Sequence, residues 1–255
     1  MDLGLAGKVA LVTGGSHGVG LATAQALAAE GCKVVICARD PVRLIEAART
    51  CGAVPVRADA LRVGDMLRVL AVTVGAFGTV HILVNNVGGG GRWGTEVVEE
   101  TDDLVWKDVY AKNAGAAVEF TRAAIPFMRR QKWGRVVTVA SIHGVEAGGR
   151  PWFTMAKAAE IALMKSLART PYLARSGITF NTVAPGSIMI EGTGWATEAA
   201  GDPSAFAAKL DREYPLGRLG TPEEVAVAIV FLCSERARYI NGACLVVDGG
   251  ESRSF

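Results

Sequence analysis

The sequence predicts an α/β protein: one doubly wound domain of about seven parallel strands with helices on both faces. Three observations carry that expectation. Short β-branched runs alternate with longer Ala/Leu-rich helical patterns along the whole chain. Several of the short runs are apolar on consecutive residues, as expected where helices cover both faces of a parallel sheet. Neither a linker-like stretch nor an internal repeat breaks the alternation over 255 residues, and with half of them hydrophobic one core can serve the whole length, 1–255.

The elements follow in order. KVALVT (Lys8 to Thr13) reads as the first strand, and TGGSHGVG (Thr13 to Gly20) as a glycine-rich turn leading into a helix over Gly18 to Glu30 that Gly31 stops. KVVICA (Lys33 to Ala38), VPVRA (Val54 to Ala58), VHILVN (Val80 to Asn85), GRVVTVA (Gly134 to Ala140), GITFNTV (Gly177 to Val183) and ACLVVD (Ala243 to Asp248) are the further strands. Before VAVAIVFLCS, Thr221-Pro222-Glu223-Glu224 supplies an N-cap, a first-turn proline and a capping-box glutamate. Glycine, alanine and charged residues through 188–214 suit a mobile lid over a substrate.

Composition narrows the partners. Lys+Arg of 27 against Asp+Glu of 25 leaves a formal charge of +2, with no long run of like charge that would ask for nucleic acid. The start, MDLGLAGKVALVTGG, has no basic n-region, and no run approaches the ~18 apolar residues of a membrane span, so a cytoplasmic protein is expected. Five cysteines without CxxC spacing and only three histidines argue against a zinc site or a disulfide framework, and the cysteines read as reduced, packed thiols.

The first turn carries the first chemistry. In TGGSHGVG, Gly14, Ser16, Gly18, Val19 and Gly20 lie between the first strand and the first helix, where missing side chains let backbone N–H groups approach a pyrophosphate. The glycine spacing differs from GxGxxG, and a tight strand-to-helix turn would also use glycines; position in the first βα unit favours the nucleotide reading. Arg39 closes the second strand where an acidic residue would accept from both ribose hydroxyls, so NADP is favoured over NAD. His17 could add a second contact or be a surface imidazole.

TGGSHGVG, Asp59 after the third strand, NNVG (Asn85 to Gly88), Asn113 in KNAG, Ser141, Lys157, PGSI (Pro185 to Ile188) and the ending NGACLVVDGG together resemble the short-chain dehydrogenase/reductase family nearly end to end. The general branch resembling 3-oxoacyl carrier-protein reductases is the nearest match. The resemblance implies a Rossmann-type fold, a homotetramer, and an oxidoreductase acting on a carbonyl/alcohol pair. It implies cofactor contacts from the glycine turn, Arg39, Asp59, Ala60, Asn85, Gly88, Lys157, Pro185, Gly186 and Ile188. It also implies that Ser141 binds the substrate oxygen, Lys157 holds the nicotinamide ribose, and Asn113 completes a water relay. The family's proton-donating tyrosine stands four residues before the lysine, and here that residue is Phe153.

Phe153 supplies packing but no proton, and a tuned acid at this step is worth ~10² to 10⁴ in rate. Three accounts compete: an engineered tyrosine-to-phenylalanine change, a natural variant using another acid, and a catalytically silent cofactor-binding or regulatory protein. His143, two residues after Ser141, and Lys157 itself are the replacement donors on offer, against a solvated loop histidine as the plainer account of His143. Trp93, Trp152, Met189 and Trp195 are expected to border the pocket, pointing to a bulky or aromatic substrate or merely closing a lid. Ile190 stands where a threonine often binds the nicotinamide amide, a contact left to Ser187 or Thr193.

Overall fold

The chain runs outward through three parallel strands, returns to the middle, and runs outward again on the other side. In a computed structural model that describes residues 1–62 and 64–254, β1 (Val9–Thr13), β2 (Lys33–Ala38), β3 (Val54–Arg57), β4 (Ile82–Asn85), β5 (Gly134–Val139), β6 (Ile178–Pro185) and β7 (Cys244–Val247) form one sheet in the order β3-β2-β1-β4-β5-β6-β7. Every pairing is parallel. The order therefore reverses between β1 and β4, and the crevice outside their carboxyl ends is where this architecture places ligands.

Alternate residues of each strand feed opposite cores. Ala10, Val12, Val34, Ile36, Val84 and Val137 pack on one face against α1 (Gly18–Ala29), α2 (Pro41–Cys51) and, from the far end of the chain, α10 (Pro222–Cys233), through Ala24, Leu27, Leu44, Val225 and Ile229. Leu11, Val35, Leu83, Val136 and Phe180 pack on the other against α3 (Asp65–Phe77), α5 (Ala116–Arg130) and α6 (Pro151–Ala168), through Val69, Phe120, Met128 and Met164. Burial on both faces explains the continuous apolar runs, each large side chain contributing ~1.5–3 kcal/mol.

Strand ends differ from the sequence expectation by one or two residues. β4 begins at Ile82 and not at Val80, and β6 runs on to Pro185, whose missing N–H suits the last rung of a ladder. Thr221 caps α10 as predicted: its hydroxyl accepts from the N–H of Glu224, whose carboxylate accepts from the N–H of Thr221 at 2.9 Å. The segment 188–214 is largely helical, with α8 (Gly194–Gly201) and α9 (Pro203–Glu213) following α4 (Asp103–Tyr110) and the short α7 (Pro171–Ala174) in chain order. Phe206, Tyr214 and Leu219 form a small core of their own beneath it.

A glycine-lined cleft and its inner wall

At the switch point lies a cleft of about 820 Å³, lined by Gly14, Ser16, His17, Gly18, Val19 and Gly20 from the first turn and by Arg39, Asp40, Arg43, Asp59, Ala60, Asn86, Val87, Gly88, Lys112, Val139 and Ile190 among others. Two glycines are sterically required. Gly14 takes φ 65°, the left-handed region, and a Cβ on Gly20 would collide with the Gly14 carbonyl oxygen. The start of α1 is thus open to an approaching anion, and its free N–H groups and dipole favour one.

The floor is stitched to β1. Asn86 donates to the carbonyls of Thr13 and Gly14 at 2.9 and 3.2 Å, while the Thr13 hydroxyl accepts from the N–H groups of Asn86 and Val87. Asn85, expected in the cleft, points the other way. It is buried behind the sheet and donates to Thr121 and Thr138 at 3.0 and 3.2 Å, because successive residues of a strand face opposite sides.

Charge gathers at the outer rim. Arg39 is exposed there, four residues before Arg43 on α2, a cation that sequence reading passed over. Asp40 between them is engaged: its carboxylate caps α2 by accepting from the N–H groups of Val42 and Arg43. His17 keeps an exposed face, and its imidazole pKa is lowered by partial burial of the ring and then by Arg43. Asp59 accepts from the N–H of Leu61 and so holds its own turn. Lys112, also missed in the sequence, has its ammonium pKa lowered by burial first and by Arg39 second.

Ser141, His143, Phe153 and Lys157 gather beyond the Gly88 and Val139 end of the cleft and are not among the residues that line it. β5 ends at Val139, and Ser141 caps a short 3₁₀ turn over Ile142–Gly144, its Oγ accepting from the N–H of His143 at 3.2 Å. α6 presents Phe153 and Lys157 one turn apart on one face. The Phe153 ring lies against the glycine loop at Gly91, edge-on to His143 with centroids 6.3 Å apart. Among the described residues His143 Nδ1 is buried without a hydrogen-bond partner. Lys157 Nζ donates to the Val139 carbonyl at 3.0 Å and to Glu160 at 2.9 Å, and lies 5.8 Å from the centre of the Phe153 ring. Glu160 was not anticipated, although an acid three residues after a lysine in an Ala-rich helix is a visible signal.

Asn113 sits in a π-helical turn, Ala111–Gly115, between α4 and α5. Both its amide hydrogens are used, donating to the carbonyls of Gly89 and Val109, and its oxygen accepts from the N–H of Gly89. Its side chain clamps the glycine loop, and a Cβ on Gly88 would strike it, so a water relay through the amide hydrogens is not available.

Other expected contacts fall elsewhere. Pro185 is buried at the end of β6, Gly186 abuts Asp248 and Glu251, and Ile188 packs into the core and bridges to Gly220; the cleft is faced instead by Ile190, which closes over Gly18. The hydroxyls left for a nicotinamide amide are engaged, Ser187 donating to Glu251 at 2.7 Å and Thr193 to the Ile190 carbonyl at 2.6 Å. Trp152 does not border a pocket; it is buried against Val109 and meets Trp106 edge-on at 5.2 Å. Trp195 packs with Met189 against Phe206, Tyr214 and Leu219, flanked by Arg92 and Lys209, and Trp93 sits under the Lys112 ammonium. Burial pushes the thiols of Cys32 and Cys37 up to about 11 and about 12, and all five cysteines are free. Among the described residues no helix is long and apolar enough to cross a membrane.

A parallel sheet whose order reverses over a glycine-lined crevice is the architecture of nucleotide-binding α/β proteins. More particularly, the chain belongs to the short-chain dehydrogenase/reductase family, a family of oxidoreductases. The family model described as enoyl-(acyl carrier protein) reductase matches residues 14–252. The chain is 35% identical over 247 residues to the 3-oxoacyl-(acyl-carrier-protein) reductase of Escherichia coli (strain K12), covering 96% of this chain and 97% of that one. It is 36% identical over 249 residues to the 2-(R)-hydroxypropyl-CoM dehydrogenase of Xanthobacter autotrophicus, covering 95% and 97%. Among solved structures, L-sorbose reductase from Gluconobacter frateurii, complexed with NADPH and L-sorbose, superposes with a TM-score of 0.92 at 34% identity over 100% of both chains.

Proposed function

We propose that this protein is an NADP(H)-dependent oxidoreductase interconverting a carbonyl and an alcohol. One observation carries the reading: a single cleft runs from a rim with Arg39 and Arg43 to a wall at Gly88 and Val139, behind which Lys157 is anchored. The NADPH complex of L-sorbose reductase and the likeness to a 3-oxoacyl carrier-protein reductase support it.

The residues fit such a cofactor in named places. Arg39 and Arg43 would hold the 2′-phosphate, the N–H groups at the start of α1 the pyrophosphate, and Lys157 the nicotinamide ribose beside the loop that Asn113 clamps. When bound, the dinucleotide would supply or accept the hydride. Ser141 Oγ still has its hydrogen to donate, and would bind the substrate oxygen. Phe153 stands beside Lys157 without a proton to donate, so the proton would come from His143 or from the Lys157 ammonium.

Phe153 also favours a second reading, a silent cofactor-binding or regulatory protein in which the cleft is kept and the chemistry is not. In both readings the chain is one domain with residues 188–214 as a lid. We also propose a cytoplasmic homotetramer. Exposed Leu104, Tyr110, Val118 and Met155 on α4, α5 and α6 support one interface, and exposed Val227, Phe231 and Leu245 on α10 and β7 support another.

Titration with NADPH and NADH tests the cofactor assignment. The native protein is expected to prefer NADPH. Arg39→Asp is expected to weaken NADPH by ~10 to 100-fold, the worth of one charge-assisted contact, and to turn the preference toward NADH. Unchanged NADPH affinity in Arg39→Asp overturns the assignment.

A further inference from the structure

We propose that Glu160 is a positioning residue for Lys157, holding its ammonium behind the cleft wall where position 153 offers it no hydroxyl. The inference rests on reading the cleft as a dinucleotide site and adds to it a residue that faces no ligand.

Lys157 and Glu160 are one helical turn apart on α6, and their side chains are 5% and 1% exposed. A lysine sealed this well would lose its charge or its place unless paired, since desolvation of an ammonium is costly. Its two observed partners are the Val139 carbonyl at 3.0 Å and Glu160 Oε2 at 2.9 Å. An ammonium has three hydrogens, and Gly88 in the cleft wall lies close by: a Cβ built there would be 3.3 Å from Nζ. Two hydrogens are thus tied to protein, and the third is left for the cleft side.

The neighbour at position 153 offers only a ring. Its centre is 5.8 Å from Nζ, near the outer limit of a useful cation–π contact, and it gives no acceptor with a defined direction. Glu160 supplies direction as well as charge. Burial raises the proton affinity of the Glu160 carboxyl and Lys157 opposes that rise, so the two groups depend on each other. A buried ion pair is commonly no more stable than well-packed apolar residues of the same volume, so stability alone gives no reason for an acid here. Placement behind Gly88 and Val139 does.

The test needs no substrate. In ¹⁵N-detected NMR of the intact protein, a buried and doubly anchored ammonium gives a slowly exchanging signal, assigned by its loss in Lys157→Met. The native protein is expected to show it, and Glu160→Gln, which keeps the shape and removes the charge, is expected to lose it. By fluorescence titration, Glu160→Gln is expected to weaken NADPH by roughly tenfold, a middling value for coupled neighbours, and to have no further effect when Lys157 is already methionine. Equal losses in both backgrounds would mark a purely structural role and overturn the proposal. So would an unchanged ammonium signal in Glu160→Gln, or no protected signal in the native protein. If the native protein fails to bind NADPH, the cofactor reading falls, and the ammonium signal still decides whether Glu160 positions Lys157.

Discussion

At the scale of single residues, the inner wall turns on how a ring, an imidazole and an ammonium share a small space. His143 lies edge-on to Phe153, and among the described residues its Nδ1 has no hydrogen-bond partner although it is sealed from solvent, an unsatisfied polar atom beside the ring. If His143 is the acid, His143→Phe should abolish reduction of any carbonyl the protein turns over while leaving NADPH affinity unchanged. Steady-state rates and a binding titration on the same preparation check this, and unaltered turnover leaves Lys157 or water as the donor. Ser141, Phe153 and Lys157 were singled out by the resemblance to the short-chain dehydrogenase/reductase family, and the structure brings them together at one end of α6. Glu160, Arg43 and Lys112 were not singled out, because a charge on a helix usually faces water, and only the packing shows that these face the cleft or the core. Asn85 was misplaced for the opposite reason. Of two adjacent asparagines, pattern alone does not say which side of a strand each will face, and the hydrogen bonds to Thr121 and Thr138 decide it.

At the scale of elements, local rules served well where a cap or a buried run defined an end. The Thr221 cap on α10 is one case, with both reciprocal bonds present. Removing the hydroxyl in Thr221→Ala should cost about 0.5–2 kcal/mol, read as a lower urea midpoint with an unchanged slope. Arg218 is the first cause that lowers the carboxyl pKa of Glu224 at this cap, from 4.5 to about 2. A depressed folded-state pKa stabilises above the unfolded value, so this contribution should be complete above about pH 4.5 and fade as pH falls toward 2. Strand ends and the helices within 188–214 were less legible. Glycine and alanine in 188–214 suggested mobility, yet Asp202 caps α9 by accepting from the N–H of Ala205, and Phe206 and Tyr214 give the segment something to pack on. That small core comes from residues up to 13 positions apart (Phe206 and Leu219), beyond the reach of a pattern read along one helix.

At the scale of the molecule, the parallel sheet and its two helical layers were readable from apolar runs alone, because burial on both faces writes itself into consecutive residues. The strand order was not. It comes from the return of the chain between β3 and β4, and that return creates the crevice in which Gly14, Asn86 and Gly88 meet. Around this crevice lie a glycine turn and two arginines, with Ser141, Lys157 and a phenyl ring beyond its inner end. The most direct measurement is NADPH-dependent reduction of a broad panel of ketones and aldehydes by Phe153→Tyr beside the native protein. The new hydroxyl would stand one turn from Lys157, and should raise kcat by ~10² or more with little change in NADPH affinity, because it acts as the alkoxide develops. A variant that binds NADPH normally yet reduces nothing on the panel would contradict the oxidoreductase account, and a native protein already as fast as Phe153→Tyr would mean that the site uses a different acid and that the family mechanism does not carry over to it.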